Sequence, residues 1–324
     1  MQVYTRCSNY ATDTCPCVLA ESGNCIVCSM CGGEAYCACA DTVSFCVLRE
    51  LMNRGGKATP RHESSLCEVT YVKEYDDIRL VRIRVPRADE YKKLGAYVMI
   101  RTREDPFFDV PISVLYEDHQ NDTIGLIIQI AGIKTGCFRS LKRGDGVYVR
   151  GPYFNGVQGR KSVMFLKNSR AVMLCRGIGF IPSLHVIDAL QQNENSVEVY
   201  ADRGQFSTSL LSLFQNLYEV PVEEVDFCDQ RGELSEELCR IVGQAAGRGV
   251  GLIHLGLSDN LQKKALDRIE EADPEGRMAV SCINNARICC GEGVCGACAK
   301  DLGAGHTVRL CKEQLSMREY KELL

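Results

Sequence analysis

The sequence predicts a mixed β and α/β protein: an antiparallel β-barrel, then a doubly wound parallel sheet, with cysteine-rich segments at both ends. Three observations carry this expectation. Six short runs rich in Val, Ile and Tyr crowd residues 67–152; strand and helix patterns alternate after them; and the twenty cysteines divide into ten before residue 68, four between 68 and 281, and six between 282 and 311. A chain of 324 residues is long enough for two or three separate cores. The expected division is 1–60, 65–160, 163–275 and 276–324.

The first segment contains "CPCVLAESGNCIVCSMCGGEAYCAC", with Cys15, Cys17, Cys25, Cys28, Cys31, Cys37 and Cys39 close in sequence. Thiolates at that density repel one another unless a cation neutralises them, so residues 1–60 read as a metal-binding segment. Cys15, Cys17, Cys25, Cys28, Cys37 and Cys39 are its candidate ligands. The metal stays open. C-x2-C-x2-C from Cys25 to Cys31 opens like a 4Fe-4S motif but lacks the following Cys-Pro, and Cys25 and Cys28 with either neighbouring pair would equally suit zinc. Cys46 falls just beyond, on a predicted short helix, "VSFCVLRELMNR", that stops at Gly55-Gly56.

The barrel is predicted from "CEVTYVKEY", "IRLVRIRV", "AYVMIRT", "ISVLYED", "TIGLIIQIA" and "GVYVRGP", separated by Gly, Pro, Asp and Asn. In the next unit, "AVMLCRGIGFIPSLHVIDALQQN" reads as buried strand, glycine turn and helix, and "VEVYADRG" and "GVGLIHLG" as further strands. This alternation predicts a parallel, doubly wound sheet. Gly177 and Gly179 lie in the strand-to-helix turn, and Pro182 suits the helix's first turn.

The tail, "ICCGEGVCGACAKDLGAGHTVRLC", sets Cys290, Cys295, Cys298 and Cys311 in the spacing C-x4-C-x2-C-x12-C. Its first part is the plant-type 2Fe-2S spacing, and Gly291, Gly293 and Gly296 are permissive residues for turning amide N–H groups toward sulfur. A four-cysteine zinc site would more often show two C-x2-C pairs, and only one is present. Residues 276–324 are therefore expected to form a 2Fe-2S subdomain, with Cys289 and Cys282 outside the ligand set.

Barrel, nucleotide-type sheet and C-terminal 2Fe-2S motif, in that order, resemble the ferredoxin reductase-like electron-transfer subunits of the dihydroorotate dehydrogenase and NADH-dependent ferredoxin:NADP oxidoreductase type, over roughly residues 65–315. The resemblance implies that the barrel carries FAD, that the sheet domain receives NAD(P)H, and that the cluster passes electrons to a larger catalytic subunit. Of the family's Arg-Pro-aromatic-Ser pattern, Pro111 and Ser113 match, whereas Val110 and Ile112 do not; Arg101 or Arg103 is the candidate substitute for the arginine. Of Gly-Lys-Gly-Thr, Gly132 and Thr135 match and Lys134 replaces a glycine. Gly151, Pro152 and Asn155, with Gly156, fit the family arrangement in "GPYFNG". In the family's nucleotide turn, where Gly177 and Gly179 let a diphosphate approach a helix N-terminus whose unpaired N–H groups favour anions, Arg176 replaces a glycine, and of the family's Cys-Gly-Pro only Gly256 remains. Asp202 and Arg203, side by side, leave the choice between NAD and NADP open. Those departures also permit a different reading, an electron-wiring or docking subunit that keeps the fold and clusters without nucleotide binding.

A formal charge of −4 gives no footprint for nucleic acid. The sequence holds no apolar run of membrane-spanning length and no signal-type N-terminus, so a cytoplasmic protein is expected. The five histidines, at 62, 119, 185, 254 and 306, show no ligand spacing, and G-x-S-x-G and H-E-x-x-H are absent.

Overall fold

In the computed structural model the described residues are 6–39, 45–75, 78–206, 212, 215, 221–303 and 305–324. The six predicted barrel runs form β1 (Ser65–Tyr75), β2 (Ile78–Arg84), β3 (Tyr97–Arg101), β4 (Val110–Asp118), β5 (Thr123–Gln129) and β6 (Gly146–Tyr153), all paired antiparallel. They close in the order β1-β2-β5-β4-β3-β6. Alternation along each strand sends one set of side chains inward. Val98 and Ile100 of β3 thus join Val81, Ile83, Ile124 and Leu126 inside the barrel. Tyr97 and Met99 point the other way, into a second core shared with Tyr153, Cys298 and Cys311. All five residues of β3 are therefore buried.

The sheet holds β7 (Val157–Gln158), β8 (Arg170–Arg176), β9 (Ser196–Asp202), β10 (Val222–Glu224), β11 (Leu252–Gly256) and β12 (Ala279–Ile283), in the order β10-β9-β8-β11-β12-β7. The first five strands run parallel, and β7 pairs antiparallel with β12. Helix α1 (Phe180–Gln192) covers the face that presents Ala171, Met173 and Cys175. Helices α2 (Glu236–Gly247) and α3 (Asp259–Ala272) cover the face that presents Val172, Leu174, Ile253 and Leu255. Helices on both faces of a parallel sheet are the doubly wound arrangement.

Residues 6–8 meet residues 312–314. Ser8 N–H donates to the Lys312 carbonyl (2.8 Å) and Gln314 N–H to the Arg6 carbonyl (2.7 Å), which makes Cys7 and Glu313 bridge partners. The Arg6 guanidinium adds a 3.0 Å ion pair to Glu313. The N-terminal segment carries its own small core of Ala20, Cys28, Cys31, Val47 and Leu51. Its predicted helix spans Val47–Asn53, with the Cys46 sulfur capping Arg49 N–H at 3.5 Å; Val43 and Ser44 of that prediction lie outside the described residues. Among the described residues no helix is long and apolar enough to cross a membrane.

Candidate functional site

A cavity of about 260 Å³ opens where the barrel meets the sheet. Tyr97, Pro111 and Ser113 line it from the barrel, and Ile178, Gly179 and Pro182 from the sheet's glycine turn. Ile178, Gly179, Ile283 and Asn285 also line an adjoining cleft of about 580 Å³, which runs past Arg176, Gly177 and Gly204. The strand end and the turn singled out in the sequence, about 70 residues apart, thus face one continuous space. The Tyr97 hydroxyl in its wall is buried and makes no hydrogen bond among the described residues. Burial holds that phenol well above its ordinary pKa, so it stays a neutral donor.

The turn is built by close backbone approach. A Cβ on Gly179 would lie 2.2 Å from the Gly256 carbonyl oxygen, and one on Gly256 2.6 Å from Ser183 Oγ. Gly177 has φ +56° and faces the Phe206 ring. Arg176, in place of a glycine, pairs with Asp202 at 2.7 Å, and Asp202 also accepts from Gly204 and Phe227 N–H. Arg203 pairs with Glu224.

Other predicted cofactor residues lie elsewhere. Thr135 Oγ1 accepts from Ala131 and Gly132 N–H, both at 3.0 Å, so Gly132 and Thr135 close their own turn, and Lys134 Nζ donates to the Asp109 carbonyl at 2.9 Å. Arg101 is buried, where it pairs with Asp109 (2.8 Å) and donates to Ser64 Oγ (2.9 Å); Arg103 lies over the Phe108 ring. Gly151 and Pro152 end β6, beside the Tyr97 backbone. Asn155 is fully buried, and its amide donates to the Leu310 and Glu313 carbonyls at 2.7 and 2.9 Å. That side chain holds the C-terminal segment instead of facing the cavity.

The C-terminal cysteines converge as two contacts, Cys290 with Cys295 and Cys298 with Cys311. Gly291, Gly293 and Gly296 all have positive φ, which turns backbone N–H groups inward. Glu292 N–H points at the Cys290 sulfur (3.3 Å) and Cys311 N–H at that of Cys298 (3.4 Å). For Cys290, burial would raise the thiol pKa, but hydrogen bonds from the Cys295, Glu292 and Val294 N–H groups and the Cys295 thiol outweigh it and the net shift is downward. Cys298, held chiefly by the Cys311 hydrogen bond, falls to about 6. Donors directed at sulfur suit an anionic iron–sulfur group. Cys282 is buried in the sheet beside the Met317 sulfur, and Cys289 is exposed.

Sequence reasoning missed the network behind this loop. Glu292 accepts from Tyr153 (3.1 Å), contacts His62 Nδ1 (3.0 Å) and pairs with fully buried Lys312 (3.3 Å). Arg150 connects it to the barrel, donating to the Cys290 carbonyl (2.9 Å) and pairing with Asp109 (2.8 Å). Burial alone would raise the Glu292 carboxyl, but His62, Lys312 and Tyr153 bring it to about 2.

At the other end, Cys7, Cys15, Cys17 and Cys25 line one small cavity of about 20 Å³. Cys28 contacts Cys31, and Cys37 contacts Cys39. Cys28 N–H points at the Cys25 sulfur (3.4 Å), so Cys25 borders both groups. Among the described residues no three His, Cys, Asp or Glu side chains are already drawn in around a point for a single metal ion.

A closed antiparallel barrel, a parallel sheet and a glycine-lined cleft between them define a ferredoxin reductase-like architecture, and the chain resembles the electron-transfer subunits of that type. No family model matches the chain. Among its relatives is the dihydroorotate dehydrogenase B (NAD(+)) electron transfer subunit of Enterococcus faecalis, 26% identical over 232 residues that span 69% of this chain and 84% of the relative. The subunit of the same name from Caldanaerobacter subterraneus is 23% identical over 224 residues, 68% of this chain and 82% of that one. A chain of the NADH-dependent reduced ferredoxin-NADP oxidoreductase, solved for flavin-based electron bifurcation, shares the fold with TM-score 0.62 and 17% identity, over 81% of this chain and 92% of that one.

Proposed function

We propose that this protein is the electron-transfer subunit of a larger oxidoreductase, with FAD on the barrel, NAD(P)H in the cleft and a 2Fe-2S cluster on Cys290, Cys295, Cys298 and Cys311. A flavin held on the barrel would supply the link between two-electron nicotinamide chemistry and one-electron iron–sulfur chemistry. The observation that carries the reading is the shared space: Pro111, Ser113 and the unsatisfied Tyr97 hydroxyl face the nucleotide turn at Gly179 across one cavity. β3 supports a short path. Tyr97 lines the cavity and also belongs to the core that contains Cys298 and Cys311. The chain's residues supply a polar donor, a glycine turn open to a diphosphate, and N–H groups for sulfur. Relatives named as electron transfer subunits fit a larger catalytic partner.

The Arg176–Asp202 pair and Phe206 against Gly177 favour a second reading, in which the nucleotide turn is filled and the chain serves as a wiring subunit. Anaerobic purification with flavin, iron, sulfide and zinc analysis, followed by NADH and NADPH added separately, tests both. Flavin bleached by either nucleotide is expected. Iron and sulfide without flavin would overturn the reductase reading and favour the wiring subunit.

A further inference from the structure

The N-terminal cysteines divide into sets that their spacing does not reveal, and backbone geometry defines the first. Cys7 is pinned from both sides, because the residues flanking it hydrogen-bond to Lys312 and Gln314. The chain then turns back: Thr12 Oγ1 donates to the Asn9 carbonyl (2.8 Å), Asn9 Nδ2 to Thr14 Oγ1 (2.6 Å), and Cys15 N–H to the Thr12 carbonyl (2.9 Å). Cys17 starts the short helix Val18–Glu21, and its carbonyl accepts from Ala20 N–H (2.9 Å). Cys25 N–H is bonded to the Cys31 carbonyl (3.0 Å). These constraints leave four sulfur-bearing residues around one small cavity, whose other walls include Leu19, Ala20, Ile26 and Val47.

We propose that Cys7, Cys15, Cys17 and Cys25 are the thiolate ligands of one metal centre, completed by Cys7 only when the chain's N-terminus docks beside Cys311. Four soft sulfur ligands in an apolar, water-poor pocket suit zinc or an iron–sulfur group and disfavour hard cations. The backbone supplies the placement, and side-chain rotation draws the sulfurs together on binding. Lys312 gives the centre its position in the molecule. Its buried ammonium lies among Glu292, Cys7, Cys17 and Cys311, so the new centre borders the C-terminal cysteine loop directly. Gly293 of that loop also has Leu19 as its nearest neighbour, with an added Cβ only 2.9 Å from the leucine methyl.

The proposal rests on the metal-binding reading of the N-terminal segment and not on the reductase reading. The test uses the full chain purified anaerobically. Native alkylation with iodoacetamide, read by peptide mass spectrometry before and after metal stripping, should find Cys7, Cys15, Cys17 and Cys25 protected and then released together. Cys7→Ser and Cys25→Ser should lose the same metal complement, by zinc and by iron and sulfide analysis, and both should retain the metal lost in Cys298→Ser. Either metal supports the ligand set. Cys7 labelled rapidly while the other three stay protected would overturn it, as would Cys7→Ser with full metal content. Alkylation of the wild-type chain decides the matter even if Cys7→Ser does not fold. Absence of flavin would sink the reductase reading and leave these outcomes unchanged.

Discussion

His254 is buried in β11 between two hydroxyls, Ser183 Oγ at 2.9 Å and Ser281 Oγ at 2.8 Å, and burial pushes its pKa down to about 3. An unfolded histidine titrates near 6.5. Between those values the unfolded chain binds a proton that the fold refuses, so this contribution is complete above pH 6.5 and is lost as pH falls toward 3. His185, held at about 4 by burial, acts in the same direction; Asp188, raised by burial to about 6, acts oppositely, favouring the fold at low pH and losing that effect as pH rises through 6. His254→Gln should therefore flatten the stability–pH slope below pH 6 by ~1.4 kcal/mol per pH unit. Urea unfolding across pH 4.5–7.5 checks this; an unchanged slope refutes it. Gly179→Ala should cost about 1–3 kcal/mol by forcing Cβ into the Gly256 carbonyl. It should also weaken nicotinamide binding, which titration of the purified protein would read. The glycine turn was legible in the sequence because its residues are contiguous. The Glu292 network was not, since His62 and Glu292 stand 230 positions apart and neither has a local signature.

Among the elements, β3 connects the parts most directly. The run "AYVMIRT" announced a strand, and its alternation set Val98 and Ile100 inside the barrel, but nothing in it showed that Tyr97 and Met99 would meet the C-terminal cysteines. That pairing is tertiary and depends on how the tail returns. β7 is likewise too short to carry a periodic signal: two residues, Val157 and Gln158, join the sheet edge through β12. The return of the tail is fastened by Lys312, which has no solvent exposure and is paired with Glu292. Lys312→Met removes one member of a buried pair, and a loss of about 3–5 kcal/mol is the usual scale. Because its partner Glu292 also contacts His62 at 3.0 Å, loosening should reach the segment around His62. Limited proteolysis should cut the variant within residues 57–63 faster than the wild type; equal rates would refute the prediction.

In the whole molecule, barrel, sheet and cysteine loop meet around one region, and the segment joining barrel to sheet is itself stitched in as β7. The resemblance in the sequence anticipated this order of parts, because each part has its own pattern. It did not anticipate that residues 6–8 would bond to residues 312–314, since the relatives' similarity covers only about two thirds of the chain. The bridge between Cys7 and Glu313 has a consequence for biosynthesis. Cys7 leaves the ribosome before the segment it docks on, roughly 300 residues later; at ~5–20 residues per second the interval is tens of seconds. During that time the early thiols stand in solution without their final wall. For the proposed ligand set, residues 312–314 would then act as the latch that closes the site after the thiols have waited for it.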